Sequence, residues 1–202
     1  DRFIQTAEES GLILPLGAFV LRSACQFAHS LERKDVRVAV NLSARQFLQP
    51  DAVSLVVEAL RESGLSPSRL EIEVTESAVM SEVEAVRARL HRLREMGVEL
   101  TLDDFGTGYS SLAYLKRFRF HRIKIDRSFV RDLPGDSDSV ALVSAMMAMA
   151  RGLGLEVVAE GVETAEQLAF LEAQGCRAFQ GFLFSPPLEP QAVAPFLASF
   201  RG

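Results

Sequence analysis

Short apolar strand patterns alternate with amphipathic helical patterns along most of this chain. Strands are predicted at residues 36–40, 70–74, 98–102, 122–125, 155–159 and 177–180. Between them, apolar residues recur at helical spacing, as at Val83, Val86, Leu90 and Leu93. Such alternation is typical of a parallel sheet with right-handed crossovers. Two architectures are compatible with it, an open doubly wound sheet and a closed eight-stranded barrel.

The number of strands favours a barrel whose first strands precede the given sequence. About six strands are predicted, whereas a TIM barrel contains eight strands and typically about 250 residues. The chain has 202 residues and opens inside a helical pattern, at residues 1–10, with no strand pattern before it. We therefore expect one α/β domain over residues 1–202, a TIM-like (β/α) barrel that is incomplete at its N-terminal end.

Composition and charge exclude several functional classes. Hydrophobic residues make up 48% and charged residues 24% of the chain, as in one globular domain. No apolar run approaches the roughly 20 residues of a membrane span, and the net charge of −5 predicts no basic surface for duplex nucleic acid. Cys25 and Cys176 are far apart and form no CxxC motif, which is typical of a reducing compartment. We therefore expect a cytoplasmic domain, or the cytoplasmic part of a larger protein.

Polar side chains lie at the C-terminal tip of every predicted strand. They are Asn41, Glu73 with Glu76 just beyond it, Asp103 with Asp104, Lys124, Glu160 and Gln180. In a closed barrel these tips meet at one rim, where barrel enzymes have their active sites. A single carboxylate after a strand is commonly a helix cap or a surface residue. Six consecutive strand ends of this kind instead favour a functional site.

Carboxylates gathered in a small volume need countercharge, because each raises the pKa of its neighbours. Mg²⁺ and Mn²⁺ resolve this conflict and prefer oxygen ligands. The adjacent Asp103 and Asp104 can bridge two such ions, and two metals about 4 Å apart can clamp a phosphodiester and activate water. Glu71 and Glu99 share the faces of Glu73 and Asp103 by the two-residue period of a strand. For these two glutamates we predict polar packing lower in the barrel.

Residues 104–111 read DFGTGYSS and are predicted to form a mobile active-site loop. The loop residues are Phe105, Gly106, Thr107, Gly108, Tyr109 and Ser110. The two glycines permit hinge-like backbone angles, and a plain tight turn is the alternative. A dinucleotide-binding loop is disfavoured because its third glycine is missing. The basic run at residues 116–124 is predicted to be a solvated helix end, except that Lys124 points with the acids.

Six segments carry a resemblance to a known family. They are NLSARQF at 41–47, EIEVTES at 71–77, LDDFGTGYSSL at 102–112, IKIDRSFV at 123–130, VVAEGVET at 157–164 and QGFLFSPPL at 180–188. Together with the opening segment 1–17 they resemble, in family order, the EAL family of cyclic di-GMP phosphodiesterases of bacterial second-messenger signalling. The resemblance implies hydrolysis of cyclic di-GMP to linear pGpG in a TIM-like barrel with two Mg²⁺ or Mn²⁺ ions.

The resemblance also implies a role for each matching residue. The metal ligands would be Asn41, Glu73, Asp103, Asp104 and Glu160, with Asp104 also near the substrate. Lys124 would hold the attacking water or a phosphate oxygen, and Glu163 and Gln180 would support the metal site and the substrate. Glu76 would anchor the loop at 105–111, which in the family links metal binding to dimerisation.

One family feature is expected to be missing from the given chain. The family's Glu-Ala-Leu motif lies on an early barrel strand, and its glutamate is a metal ligand. We expect this strand upstream of Asp1, in agreement with the strand deficit. The given chain alone is expected to form an open barrel with an incomplete first metal site and little activity. The resemblance further implies a homodimer and an adjoining GGDEF or sensory domain elsewhere in the protein.

Two other functions stay open from the residues. A barrel that binds cyclic di-GMP without cleaving it would be a receptor that signals to a partner domain. Acids on successive strand tips together with a lysine also suit metal-assisted proton abstraction, as in enolase-like barrels.

Overall fold

The computed structural model describes residues 2–81, 83–108, 115 and 117–199. The chain divides into two compact units, Asp1–Ile123 and Lys124–Gly202, and the boundary lies within one strand. Six strands occur in the described residues, and they alternate with helices as the sequence predicts.

The first unit consists of a parallel sheet and the helices that cover it. Its elements are α1 (Arg2–Ser10), α2 (Ile13–Ser30), β1 (Val38–Leu42), α3 (Ala44–Phe47), α4 (Ala52–Ser63), β2 (Leu70–Thr75), α5 (Glu76–Ser81), α6 (Val83–Glu95), β3 (Glu99–Phe105) and the start of β4 (Arg122–Ile125). β1 pairs in parallel with β2, and β2 with β3, so that Val40, Ile72 and Leu100 are in register. The second strand begins after a short 3₁₀ turn, Pro67–Arg69.

The central strand β2 is buried on both faces, which is typical of parallel sheets, whereas one face of β1 is exposed. One face is apolar, and on β2 it carries Leu70, Ile72 and Val74, each 0% exposed. Helix α5 contacts β2 and β3, and helix α6 contacts β3. The apolar stripe of α6 is buried at helical spacing, at Val86 and Leu90 among others. The opposite face carries the polar residues of the strands and is described below.

The second unit continues the strand–helix alternation. Its elements are the end of β4, α7 (Arg127–Val130), α8 (Ser137–Leu153), β5 (Glu156–Glu160), α9 (Ala165–Ala173), β6 (Ala178–Gln180) and α10 (Pro190–Ser199). β5 and β6 are parallel, with Glu160 opposite Gln180. Thr164 caps α9 in a reciprocal capping box with Gln167.

All six predicted strands are present, but five of them have bounds that differ from the prediction by one to three residues. In most of these cases the observed strand ends later in the chain than the predicted one. Asn41 is therefore followed by one more strand residue, and Asp103 and Asp104 lie inside β3, whereas the bounds of β4 agree with the prediction. The sequence pattern ended these strands early because backbone pairing continues through a polar residue as readily as through an apolar one. Glu160 and Gln180 are the last residues of their strands, as predicted.

Among the described residues, no single helix is long and apolar enough to cross a membrane. The two helical segments Phe3–Ser10 and Ile13–Ser30, which are bent relative to each other, reach the length and apolar composition of a membrane span only when they are taken together.

Candidate functional site

Three oxygen-bearing side chains lie on one face of the first unit's sheet. Asn41 on β1 is in register with Glu73 on β2, and Glu73 is in register with Thr101 on β3. Asp103 follows Thr101 by two residues and so shares its face. Glu73 is 5% and Asp103 is 8% exposed. Because neighbouring strands are about 4.8 Å apart, an amide and two buried carboxylates come together on three adjacent strands.

The backbone of Asp104 departs from strand geometry. Its φ of 55° lies in the left-handed region, which aspartate tolerates better than most residues. The Asp104 N–H donates to Asp103 Oδ1 at 3.0 Å, and its carbonyl accepts from the Thr107 hydroxyl at 2.8 Å. A regular strand would place adjacent side chains on opposite faces, and the left-handed residue interrupts that alternation. Such strain is concentrated at functional sites.

Glu76 contacts the loop that follows β3. It is the first residue of α5, is 2% exposed, and accepts the Gly106 N–H through Oε2 at 3.2 Å. A Cβ at Gly108 would lie 2.9 Å from Glu76 Oε1, so the loop passes directly over the carboxylate. Within the described residues, Oε1 is buried and accepts no hydrogen bond. Of the predicted loop residues, Tyr109 and Ser110 lie outside the described residues.

A buried charged layer lies one step below the acids, toward the start of the strands. Glu71 accepts hydrogen bonds from the Thr101 hydroxyl and from Arg122, whose Nη1 lies 2.6 Å from Glu71 Oε2. Both ionic side chains are only 11% exposed, and Glu99 Oε2 lies 3.9 Å from Arg122 Nη1. The predicted polar packing of Glu71 is therefore confirmed. The prediction that residues 116–124 are solvated is wrong for Arg122. The sequence did contain a signal for its burial, because Arg122 lies two residues before Lys124 and therefore on the same face of the strand.

The second unit brings together three predicted site residues. Lys124 Nζ lies 2.6 Å from Glu160 Oε1, with the two side chains 4% and 16% exposed. Glu160 is in register with Gln180, and the Gln180 carbonyl accepts the Val162 N–H at 3.1 Å. The lysine ammonium therefore supplies countercharge to a largely buried carboxylate. Gln180 is exposed at the end of its strand.

Glu163 lies in the segment between β5 and α9, where its side chain is exposed. Its backbone N–H donates to Gln167 Oε1 at 2.8 Å.

Each unit contains one buried cysteine, Cys25 in the first and Cys176 in the second. Burial raises the pKa of the Cys25 thiol to about 11 and also raises the pKa of the Cys176 thiol. Neither thiol is therefore a thiolate at neutral pH, and neither is a candidate nucleophile.

The EAL domain family model matches residues 1–187. The chain belongs to the EAL domain family.

This EAL domain has close relatives among characterised signalling proteins. It is 47% identical to the cyclic di-GMP phosphodiesterase NbdA of Pseudomonas aeruginosa, over 100% of this chain and 26% of the relative. It is 46% identical to the bifunctional diguanylate cyclase/cyclic di-GMP phosphodiesterase MucR of the same species, over 98% of this chain and 29% of the relative. The chain thus spans about a quarter of the length of the curated relatives it matches.

Solved EAL structures share its fold. A c-di-GMP complex of the PaMucR phosphodiesterase superposes with a TM-score of 0.92 at 45% identity, covering 95% of this chain and 79% of that one. A manganese/cy-diGMP complex of Klebsiella pneumoniae BlrP1 gives a TM-score of 0.75 at 39% identity, covering 87% of this chain and 44% of that one. The prediction of a TIM-like α/β barrel fold is confirmed by these likenesses.

The letters Glu-Ala-Leu do occur in this EAL domain, at Glu58, Ala59 and Leu60. They lie in the last two turns of α4, with Ala59 and Leu60 buried in the core and Glu58 exposed. This tripeptide is therefore helical and is no counterpart of the family's strand motif.

The donor chemistry of this EAL domain fits a hard divalent cation. Asn41, Glu73, Asp103 and Glu160 offer amide and carboxylate oxygens, which Mg²⁺, Mn²⁺ and Ca²⁺ prefer. A divalent ion also supplies countercharge where several carboxylates lie close together. In the part of the chain that the structure describes, however, no three histidine, cysteine, aspartate or glutamate side chains converge closely enough to hold a metal ion. In the first unit, Asn41, Glu73 and Asp103 thus share one face of the sheet without forming an assembled ligand set.

Proposed function

We propose that this EAL domain hydrolyses cyclic di-GMP to linear pGpG. The observation that carries this proposal is the face on which Asn41, Glu73 and Asp103 lie on three adjacent strands, with both carboxylates buried. Burying acidic groups is costly unless hydrogen bonds or opposite charges compensate them, and divalent cations are one class of partner that does so. Support comes from the relatives, among which NbdA and PdeR are named cyclic di-GMP phosphodiesterases.

We further propose that two divalent ions, Mg²⁺ or Mn²⁺, take part. On the motif match, the ligands in this chain are Asn41, Glu73, Asp103, Asp104 and Glu160. When bound, the ions supply Lewis-acid polarisation of the phosphodiester and lower the pKa of a water molecule. Structures of the relative BlrP1 with manganese and with calcium support a divalent ion.

Lys124 has the clearest role among the remaining residues. Its side chain is nearly buried and its Nζ lies 2.6 Å from Glu160 Oε1, which holds the amine in position. A lysine so placed holds the attacking water or a phosphate oxygen by donating hydrogen bonds, and it offsets negative charge that develops on the phosphoryl oxygens. Because a preorganised donor needs no reorientation during the reaction, this contribution is larger than that of an exposed lysine.

The other predicted residues support the reaction. We propose that Glu163 and Gln180 support the metal ligands and the substrate, and that Asp104 also contacts the substrate. Glu76 anchors the loop through Gly106, which limits the positions available to the backbone directly after Asp104.

A hydrolysis assay on the full-length protein tests this function. Purified protein is incubated with cyclic di-GMP and either Mg²⁺ or Mn²⁺, and pGpG is quantified by liquid chromatography. Glu160→Gln should abolish most turnover while leaving the fold intact, because it removes a charge and little volume. The matched control is Glu156→Gln, at the opposite end of the same strand. The proposal is wrong if the wild type forms no pGpG with either metal, or if both variants lose activity equally.

A receptor that binds cyclic di-GMP without cleaving it is the second candidate. It is favoured by the absence of a three-carboxylate cluster among the described residues. Calorimetry that shows tight binding, with no pGpG formed after long incubation, would select the receptor over the enzyme.

We also propose a cytoplasmic location, a homodimer and adjoining GGDEF or sensory domains, as the sequence resemblance implies. Support for further domains comes from the bifunctional name of MucR and from the fact that this chain matches only 29% of its length. Light scattering of the full-length protein measures the oligomeric state, and a monomer at all accessible concentrations would refute the dimer.

A further inference from the structure

We propose that Gln167, the capping-box glutamine of α9, is a positioning residue that acts on the reaction through the Glu163 segment. This inference rests on the proposed function.

Gln167 uses both ends of its amide. Its Oε1 accepts the N–H groups of Glu163 at 2.8 Å and Thr164 at 3.0 Å, and its Nε2 donates to the Arg131 carbonyl at 3.0 Å. The side chain is 4% exposed, so these bonds are shielded from competing water. A capping box requires only the bond to the N-cap residue, here Thr164. The bonds to Glu163 and Arg131 go beyond what the helix needs, and the amide makes them possible because it accepts at one end and donates at the other.

The Arg131 carbonyl connects this glutamine to the exit of another strand. Arg131 is the C-cap residue of α7, the short helix that follows Lys124 and Asp126 at the end of β4. A second close approach lies beside it, because a Cβ at Gly161 would come within 2.6 Å of Arg127 Cβ. The segment that leaves β5 after Glu160 is therefore packed directly on the segment that leaves β4 after Lys124.

The backbone around Glu163 is held from two sides. On one side, Val162 donates to the Gln180 carbonyl and accepts the Leu183 N–H, each at 3.1 Å. On the other side, the Glu163 N–H is held by Gln167. The exposed Glu163 side chain thus starts from a fixed backbone position. Removing the Gln167 amide would release one side of this segment while leaving β5, Glu160 and the Lys124 ion pair in place.

The decisive experiment is a double-mutant cycle on the full-length protein, with cyclic di-GMP and Mn²⁺. Gln167→Met keeps side-chain length and helix propensity but offers no amide. Outer-shell partners of this kind typically contribute 10- to 100-fold in activity, so we expect kcat to fall by about 10- to 100-fold. In a Glu163→Ala background, the same substitution should have no further effect, because Gln167 acts through Glu163.

Two other variants separate positioning from helix stability. Thr164→Val removes the hydroxyl that caps α9 by accepting the Gln167 backbone N–H at 3.2 Å, but it leaves the amide bonds of Gln167 untouched. It should therefore destabilise the helix with little loss of kcat. Gln167→Glu retains the acceptor oxygen used in many capping boxes, and it serves if Gln167→Met fails to fold. It should lose less activity than Gln167→Met.

Hydrogen exchange supplies a readout that does not depend on activity. Gln167→Met should abolish protection of the Glu163 and Thr164 amides and leave the Val162 amide protected. Retained protection, a Thr164→Val variant as impaired as Gln167→Met, or multiplicative losses in the double mutant would each overturn the proposal. If the wild type is inactive but the protection is lost as expected, the proposed function fails and the role of Gln167 in holding the segment is supported.

Discussion

The buried ion pair between Arg122 and Glu71 allows a quantitative prediction. Arg122→Met keeps much of the side-chain length but leaves the Glu71 carboxylate with one observed donor, the Thr101 hydroxyl. The two charges are 2.6 Å apart and each side chain is 11% exposed, so the lost partner cannot be replaced readily by water. Breaking a buried pair by removing one member costs about 3–5 kcal/mol. For a chain of this size, that corresponds to a decrease in Tm of roughly 6–20 °C.

The matched control is Arg131→Met. Arg131 forms an ion pair with Asp132 at 2.9 Å, but the side chains are 76% and 47% exposed. Exposed pairs of this kind contribute little because water screens their attraction, so this variant should be nearly as stable as the wild type. Urea unfolding followed by circular dichroism measures both free energies of unfolding. Equal stability of the two variants would refute the argument that burial makes the Arg122–Glu71 pair important.

A double replacement tests the same reasoning from the other side. Glu71→Met combined with Arg122→Met removes both charges together and leaves no buried carboxylate without a partner. Replacing a whole buried pair by apolar residues is often neutral or stabilising. The double variant should therefore recover much of the stability that Arg122→Met alone loses. A double variant less stable than Arg122→Met would show that the layer also depends on polar contacts to Glu99 or Thr101.

Three further outcomes are expected. Asp103→Asn should lower kcat at least about 100-fold with an unchanged circular dichroism spectrum, since it deletes a proposed ligand charge and no volume; unfolding of this variant would count against a purely catalytic role. Gly181→Ala should cost about 1–3 kcal/mol in urea unfolding, because the new Cβ would lie 2.1 Å from the Val162 carbonyl oxygen; wild-type stability would contradict that contact. The pKa of Asp136 is lowered because its carboxylate accepts the Ser139 N–H at the start of α8. The ionised Asp136 carboxylate therefore stabilises the folded protein above its unfolded-state pKa, and this stabilisation is lost as the pH falls through its folded-state pKa. The unfolding midpoints of Asp136→Ala and wild type should therefore differ near neutral pH and converge in acid, and a constant difference would exclude this linkage.

The polar face of the first unit is layered, and the two layers differ in function. The lower layer pairs Glu71 with Arg122 and is neutralised within the protein. The upper layer holds Glu73 and Asp103, which are buried and belong to the face that we propose binds metal ions. Thr101 lies in register with Glu73 and donates to Glu71, so one residue connects both layers. Polar residues on a strand face are thus not all candidate site residues.

The sequence alone determined the features that depend on local period. Strand–helix alternation, the capping box of Thr164 and Gln167, and the common face of Glu71 and Glu73 follow from spacings of two to four residues, which the backbone geometry of helices and strands sets. The motifs likewise placed Asn41, Glu73, Lys124 and Glu160 near strand ends before any contact was known. The left-handed backbone of Asp104 carried no clear local signal, since aspartate adopts ordinary strand geometry as well.

Only the tertiary structure decided which distant residues meet. Arg122 and Glu71 are 51 residues apart in the chain, and Gln167 and Arg131 are 36 apart. A basic run at 116–124 is indistinguishable by composition from a solvated surface, and a capping-box glutamine looks complete without a further partner. Which side chains become partners depends on strand register and on how the segments after neighbouring strands pack, and a shift of one residue would move every strand side chain to the other face. For that reason the sequence could suggest candidate residues for this site, while long-range partners such as Arg122 of Glu71 and Arg131 of Gln167 could not be predicted from it.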